Sequence, residues 1–193
     1  MHMTSVLSFR ILASPSSNDH EARPLVDGAD WLAEDCLGLD PPELVLEFAR
    51  NPARLLIGRC GCGVVGCGDV TVEVERTEST VEWRLHDGSP ITFDRRRYDA
   101  EIARFSTDHS WEPLERRVER EVGQVFAGSS TKAGLTFDWA STRIRQGLIC
   151  LSYSRPGVGQ SLLEFGWDGQ NLDDALTSAR RFHAEHFDDS SPK

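Results

Sequence analysis

Three cysteines fall within eight positions near the middle of the chain, in the run Cys60-Gly61-Cys62-Gly63-Val64-Val65-Gly66-Cys67-Gly68. Thiolates are preferred ligands of soft and borderline cations. Glycine takes four of these nine positions, and its freedom to adopt positive φ lets a short loop fold back and aim several sulfurs at one point. Zinc takes four ligands in a tetrahedron, with sulfur at about 2.3 Å, so three thiolates from one loop and one group from elsewhere make a closed structural site. The spacing is Cys-x-Cys-x4-Cys and not a pair of Cys-x2-Cys knuckles. For the fourth ligand the sequence offers Cys36, Cys150, His86 and Asp69. His86 ends a strand of the adjoining meander and is the expected partner of Cys60, Cys62 and Cys67; Cys150, between Ile149 and Leu151, reads as a packing residue. Two other readings stand beside zinc. The thiols fill a compact turn as small apolar groups, or they are reactive, which requires a pKa lowered by a cation or a helix N-terminus. Arg59 is the only positive charge next to the cluster.

Other chemistry-bearing patterns are weaker. His183-Ala184-Glu185-His186 places two histidines at i, i+3, whereas a zinc protease helix needs i, i+4; the pair suits the negative end of a helix dipole. Ser129-Ser130-Thr131-Lys132 matches Ser-x-x-Lys without the Ser-Asp-Asn and Lys-Thr-Gly partners of that chemistry, and reads as a polar loop. No phosphate loop, dinucleotide fingerprint or nucleophile elbow is present.

The elements that must position the cluster are legible around it. Leu55-Leu56-Ile57 predicts a strand entering the loop, and Val70, Val72 and Val74, then Val81, Trp83 and Leu85, alternate with polar residues as half-buried antiparallel strands do. Thr77 to Thr80 fits a hairpin loop, and Asp87-Gly88 turns the chain into Ile91 and Phe93, completing a meander. This segment resembles one found in uncharacterised proteins of high-GC bacteria, in which Cys-Gly-Cys-Gly-x-x-Gly-Cys is followed by a hairpin containing Val-x-Trp, here Val81-Glu82-Trp83. The resemblance covers about a quarter of the chain, extends loosely to Trp167-Asp168-Gly169, and brings no function with it.

On either side, Val6 to Leu12 predicts a first strand, followed by a mobile loop near residues 13–23 and a turn at Asp27-Gly28. Trp31 to Cys36, closed by Gly38, suggests a short helix, and Asp40-Pro41-Pro42 opens another. Asp94 caps a helix with Tyr98, Ile102 and Phe105 on one face; a second runs from about 111 to 126 with Leu114, Val118, Val122 and Phe126. Strands at 135–139, 149–153 and 163–167 follow, the last two joined as a hairpin, before a helix from Leu172 to about Phe187 and a frayed tail at 188–193. The expectation is an α+β fold, an antiparallel meander plus C-terminal hairpin with packed helices, in one domain over 1–193.

Charge and composition narrow the function. A net charge of −10 and a pI near 5.0 argue against general nucleic-acid binding, which needs a basic face, and favour a basic protein partner. Arg95-Arg96-Arg97, Arg116-Arg117-Arg120 and Arg180-Arg181 lie among acidic residues on predicted helices and read as solvated faces. The apolar run at Val6–Leu12 is broken by Ser8 and Arg10 and lacks a basic lead, unlike a signal peptide, and nothing approaches a membrane span. Five cysteines, an odd number, point away from a secreted disulfide framework and toward reduced thiols in the cytoplasm. The sequence therefore predicts a non-enzymatic cytoplasmic binding protein, of the immunity or inhibitor kind, with a zinc-stabilised loop. The alternative is a thiol- or metal-dependent enzyme using Cys60, Cys62 and Cys67.

Overall fold

The computed structural model describes residues 4–13, 19–62, 66–85 and 88–187. The fold is α+β with antiparallel sheets, as the strand and helix periodicities predict, and the chain packs as two compact units, Met1–Asp108 and His109–Lys193.

The first unit begins with β1 (Leu7–Ala13) and β2 (His20–Val26), paired antiparallel, and a two-residue turn at Asp27-Gly28 leads to β3 (Ala29–Asp30). Residues 20–23, expected in a mobile loop, thus lie in a strand; residues 14–18 of that loop lie outside the described residues. Arg23 and Pro24 disguise the strand in the sequence. Ala22, Pro24 and Val26 point to the buried side, while Arg23 is itself buried at 7% exposure by ion pairs with Asp30 and Glu21.

The helix expected over Trp31 to Cys36 does not form. The Arg23 guanidinium instead takes the carbonyls of that segment, donating to Leu32 O and Ala33 O at 3.2 Å and to Cys36 O at 2.6 Å. These bonds replace helical ones and leave β4 (Cys36–Gly38) free to pair with β5 (Arg54–Cys60). Between them α1 (Pro41–Ala49) starts behind Asp40 with proline in its first turn, as expected. β6 (Asp69–Arg76), β7 (Thr80–Arg84) and β8 (Ile91–Asp94) complete the meander, giving a five-stranded sheet in the order β4-β5-β6-β7-β8. Asp94 accepts from Arg97 N at 3.0 Å to cap α2 (Arg95–Thr107). Tyr98 and Phe105 of α2 join Trp83, Phe93, Ile57 and Val72 in the core, where Trp83 Nε1 donates to Tyr98 Oη at 3.1 Å. Ile57 of β5 and Val72 of β6 enter this core, which anchors the two strands that carry the ends of the cysteine loop.

The second unit packs α3 (Leu114–Phe126) and α4 (Leu172–His186) on a sheet of β9 (Thr136–Ser141), β10 (Leu148–Arg155) and β11 (Gly159–Gly166), in the order β11-β10-β9. Val118, Val122 and Phe126 face Ile149, Leu151 and Tyr153, the pairing that the 3.6- and 2-residue periods predict. One expectation fails here: Arg116 is 4% exposed and not solvated, because Glu119 pairs with it and Trp111 lies under its guanidinium. Ser129 caps α3 by donating to Phe126 O at 2.7 Å and bonds Tyr153 Oη, so the Ser-x-x-Lys run is a polar loop. His186 stacks on Phe182 and its Nδ1 lies 2.9 Å from Phe182 O, at the helix end. Residues 188–193, expected to fray, lie outside the described residues.

Candidate metal centre

The cysteine loop connects β5 to β6. Its mouth is closed by Cys60 N donating to Gly68 O at 2.8 Å, so the last residue of β5 and the residue before β6 are held together. Inside it the Sγ atoms of Cys60, Cys62 and Cys67 all lie within 4.8 Å of one another. Sulfurs that share a tetrahedral zinc at about 2.3 Å sit roughly 3.8 Å apart, so the three thiols can ligate one ion once Cys60 and Cys62 move apart by about an ångström. Gly66 adopts φ +77°, the left-handed angle expected of this loop, and its N–H donates to Asp69 Oδ1 at 3.3 Å. Cys62 and Cys67 are exposed and Cys60 is half-buried.

Cys60 and Cys62 approach one another at a Sγ–Sγ distance of 2.7 Å, with either thiol able to act as the donor. That hydrogen bond is the main reason the Cys60 thiol is pushed up to about 11; the Cys62 backbone N–H opposes it, while burial, the Cys67 thiol and the charge of Cys62 add to it. Crowded thiols resist ionisation because thiolates repel, and a divalent cation reverses that logic by supplying the compensating charge. The same shift disfavours Cys60 as a free nucleophile, which needs a lowered pKa. Arg59 does not lower it: its guanidinium is bound to Glu43, with Nη1 at 3.2 Å from Oε2, and Asp69 stands 3.9 Å from its Nε.

The candidate fourth ligands differ in what engages them. Cys150 sits in β10 of the second unit at 1% exposure, opposite Ser141 and Glu164, and burial raises its thiol, as befits a packing residue. Asp69 is engaged by Arg59 and by Gly66 N. His86 lies outside the described residues. Cys36 stands directly opposite Cys60 in the β4–β5 ladder, and the sequence carried no signal for that pairing because Trp31 to Cys36 reads as a helix.

The same sheet also carries a groove of about 340 Å³ lined by Ala53, Arg54, Glu73, Val74, Glu75, Glu82 and Arg84. Glu75 is paired directly across from Glu82, an arrangement that costs stability unless a cation intervenes. Arg84 donates to Glu82, and Arg54 turns its Nε to Thr71 Oγ1 at 2.8 Å. Among the described residues no helix is long and apolar enough to cross a membrane. Comparison with protein-family models, with curated proteins and with solved structures finds no match to this chain. Fold and site together define an α+β protein with a three-thiol, metal-competent loop between two strands of its sheet.

Proposed function

We propose that this chain is a non-enzymatic binding protein of the reducing cytoplasm, of the immunity or inhibitor kind. In this reading zinc on Cys60, Cys62 and Cys67 fastens the β5–β6 loop, and the acidic groove receives a basic partner. The observation that carries the metal half is the convergence of three sulfurs within 4.8 Å on a loop whose mouth is already hydrogen-bonded shut. A bound ion that meets only the folded chain stabilises it by linkage. A chelator that competes for zinc therefore lowers the melting temperature of the wild-type protein to that of Cys62→Ser and leaves the variant unchanged. Equal melting temperatures in all four samples contradict a structural ion.

The partner half is supported by the net charge of −10 and by the opposed Glu75–Glu82 pair. An arginine-rich peptide, followed by fluorescence anisotropy, binds the wild-type protein and is weakened by Glu75→Gln with Glu82→Gln. It is weakened less by Glu34→Gln with Glu185→Gln, which removes the same charge elsewhere. Equal weakening by both pairs reduces the effect to net charge and removes the groove from the account.

The second reading, a thiol-dependent redox protein, is favoured by the 2.7 Å approach of Cys60 and Cys62. Joining them would release two protons and two electrons to an oxidant such as glutathione disulfide. The raised Cys60 thiol argues for slow attack. Alkylation of metal-free protein faster than that of glutathione at pH 7 would favour this reading over the first.

A further inference from the structure

We infer that Cys36 is the fourth ligand, making the centre a four-thiolate site that ties β4 to the loop between β5 and β6. The inference rests on the zinc reading above and adds the residue that closes the site. In the β4–β5 ladder Cys36 pairs with Cys60, and Gly61 N donates to Asp35 O at 2.7 Å. A bond from the residue after one member of the pair to the residue before the other marks Cys36 and Cys60 as a non-hydrogen-bonded pair, the class in which facing side chains approach most closely. Directly opposed residues have Cβ atoms about 4.5–5.5 Å apart and lie on one face of the sheet. Two sulfurs extending from such positions span the roughly 3.8 Å that separates ligands of one zinc ion.

Cys36 is held in that position from two sides. The buried Arg23 guanidinium grips Cys36 O at 2.6 Å and the carbonyls of Leu32 and Ala33, which fixes the backbone on which the thiol stands. Asp30, bonded to Arg23 Nε at 2.6 Å, holds the guanidinium in turn. On the loop side Gly61 fits against Asp35 so closely that a Cβ there would lie 2.7 Å from Asp35 O. The Cys36 thiol now faces Asp35 Oδ1 at 3.8 Å and stands outside the three converged sulfurs, so ligation requires its rotation about the Cα–Cβ bond toward the loop. Of the other candidates, Cys150 is 1% exposed and packed within β10, and Asp69 Oδ1 accepts from Gly66 N at 3.3 Å.

Cobalt(II) substitution tests the ligand set. In metal-free full-length protein reconstituted with cobalt, the near-ultraviolet sulfur-to-cobalt charge-transfer band grows with the number of thiolate bonds. The wild-type protein is expected to show the intensity of four. Cys36→Ser is expected to lose about a quarter of it, as one of four tetrahedral ligands is exchanged. Cys36→His should keep a tetrahedral visible spectrum while showing only three thiolates. A wild-type band of three-thiolate intensity overturns the inference without recourse to any variant, as does an unchanged band in Cys36→Ser. If that unchanged band is accompanied by a shifted visible spectrum in His86→Ala, the fourth position belongs to His86. Failure of the wild-type protein to bind cobalt at all removes the metal reading itself, a result distinct from a three-thiolate spectrum.

Discussion

Arg23 and Asp30 show how much a single ion pair organises near the site. Burial alone would raise the Asp30 carboxyl, but the Arg23 hydrogen bond, the Leu32 N–H and the charges of Arg23 and Arg10 outweigh it and hold it below the usual carboxylate range. A carboxyl depressed in the folded state contributes stability that is present above its unfolded pKa of about 3.9 and lost as pH falls through the folded value. Asp30→Asn is therefore expected to cost about 2 kcal/mol at pH 7, the scale of a lost hydrogen bond to a charged group. It should also flatten the acid limb of stability below about pH 4. Urea titrations at pH 7 and pH 3 check both; an equal difference at the two pH values contradicts the linkage.

Tyr98 gives the alkaline counterpart. Its hydroxyl is pushed up to about 12, chiefly by burial, with the Trp83 hydrogen bond and the Arg76 charge opposing. A group whose folded pKa is raised contributes stability that is complete below its unfolded pKa of about 10 and disappears as pH rises through the folded one, about 2–3 kcal/mol in all. Tyr98→Phe removes this dependence. The wild-type-minus-variant stability difference should therefore shrink between about pH 10 and pH 12; a difference independent of pH there contradicts it. Neither Arg23 nor Tyr98 announces its role in the sequence. An arginine beside a proline reads as a loop, and a tyrosine on a helical stripe reads as a generic core residue, because the partners that define them lie elsewhere in the chain.

At the scale of elements, legibility followed periodicity. The meander, α2, α3, the C-terminal hairpin and α4 carry unbroken periods of 2 or 3.6, and each stands where its pattern places it. Trp31 to Cys36 offered six residues and one apolar turn, too little for its pattern to outweigh the tertiary pull of Arg23 on its carbonyls. The loop chemistry was visible in composition, but the ligand geometry was not, since Cys36 meets Cys60 only through strand pairing. Gly61→Ala tests that pairing. Its Cβ would press on a backbone carbonyl at 2.7 Å, so β4 must move away from the end of β5. The expected result is a loss of about 1–3 kcal/mol, as for other overpacked sites, with faster amide exchange at Gly61. Retention of slow exchange at Gly61 would show that the close approach is not needed.

In the second unit, Glu119 of α3 ties down the connection after β9. It accepts from Ser141 Oγ at 3.0 Å, Thr142 N at 2.9 Å and Arg143 Nε at 3.0 Å. Glu119→Ala removes the acceptor of these donors and the carboxylate beside the buried Arg116, at an expected cost of about 3 kcal/mol. Calorimetric melting measures it, and a change within about 0.5 kcal/mol, ordinary for a surface substitution, would contradict the role.

For the molecule as a whole, acidity, the crowded thiols and the opposed glutamates belong to one account, in which a metal fastens the loop and the acidic groove meets a basic partner. Composition revealed the charge, and spacing revealed the loop; neither could reveal which strand faces it. The fastening of the loop depends on the ion, whereas the groove is tested by its own glutamates. The most direct measurement is the zinc content per chain of protein purified under reducing conditions without a histidine tag, beside Cys62→Ser prepared identically. The account predicts about one zinc per chain, the capacity of a single tetrahedral site, and a clear loss in the variant. A metal-free wild-type protein that also fails to take up added zinc would contradict it.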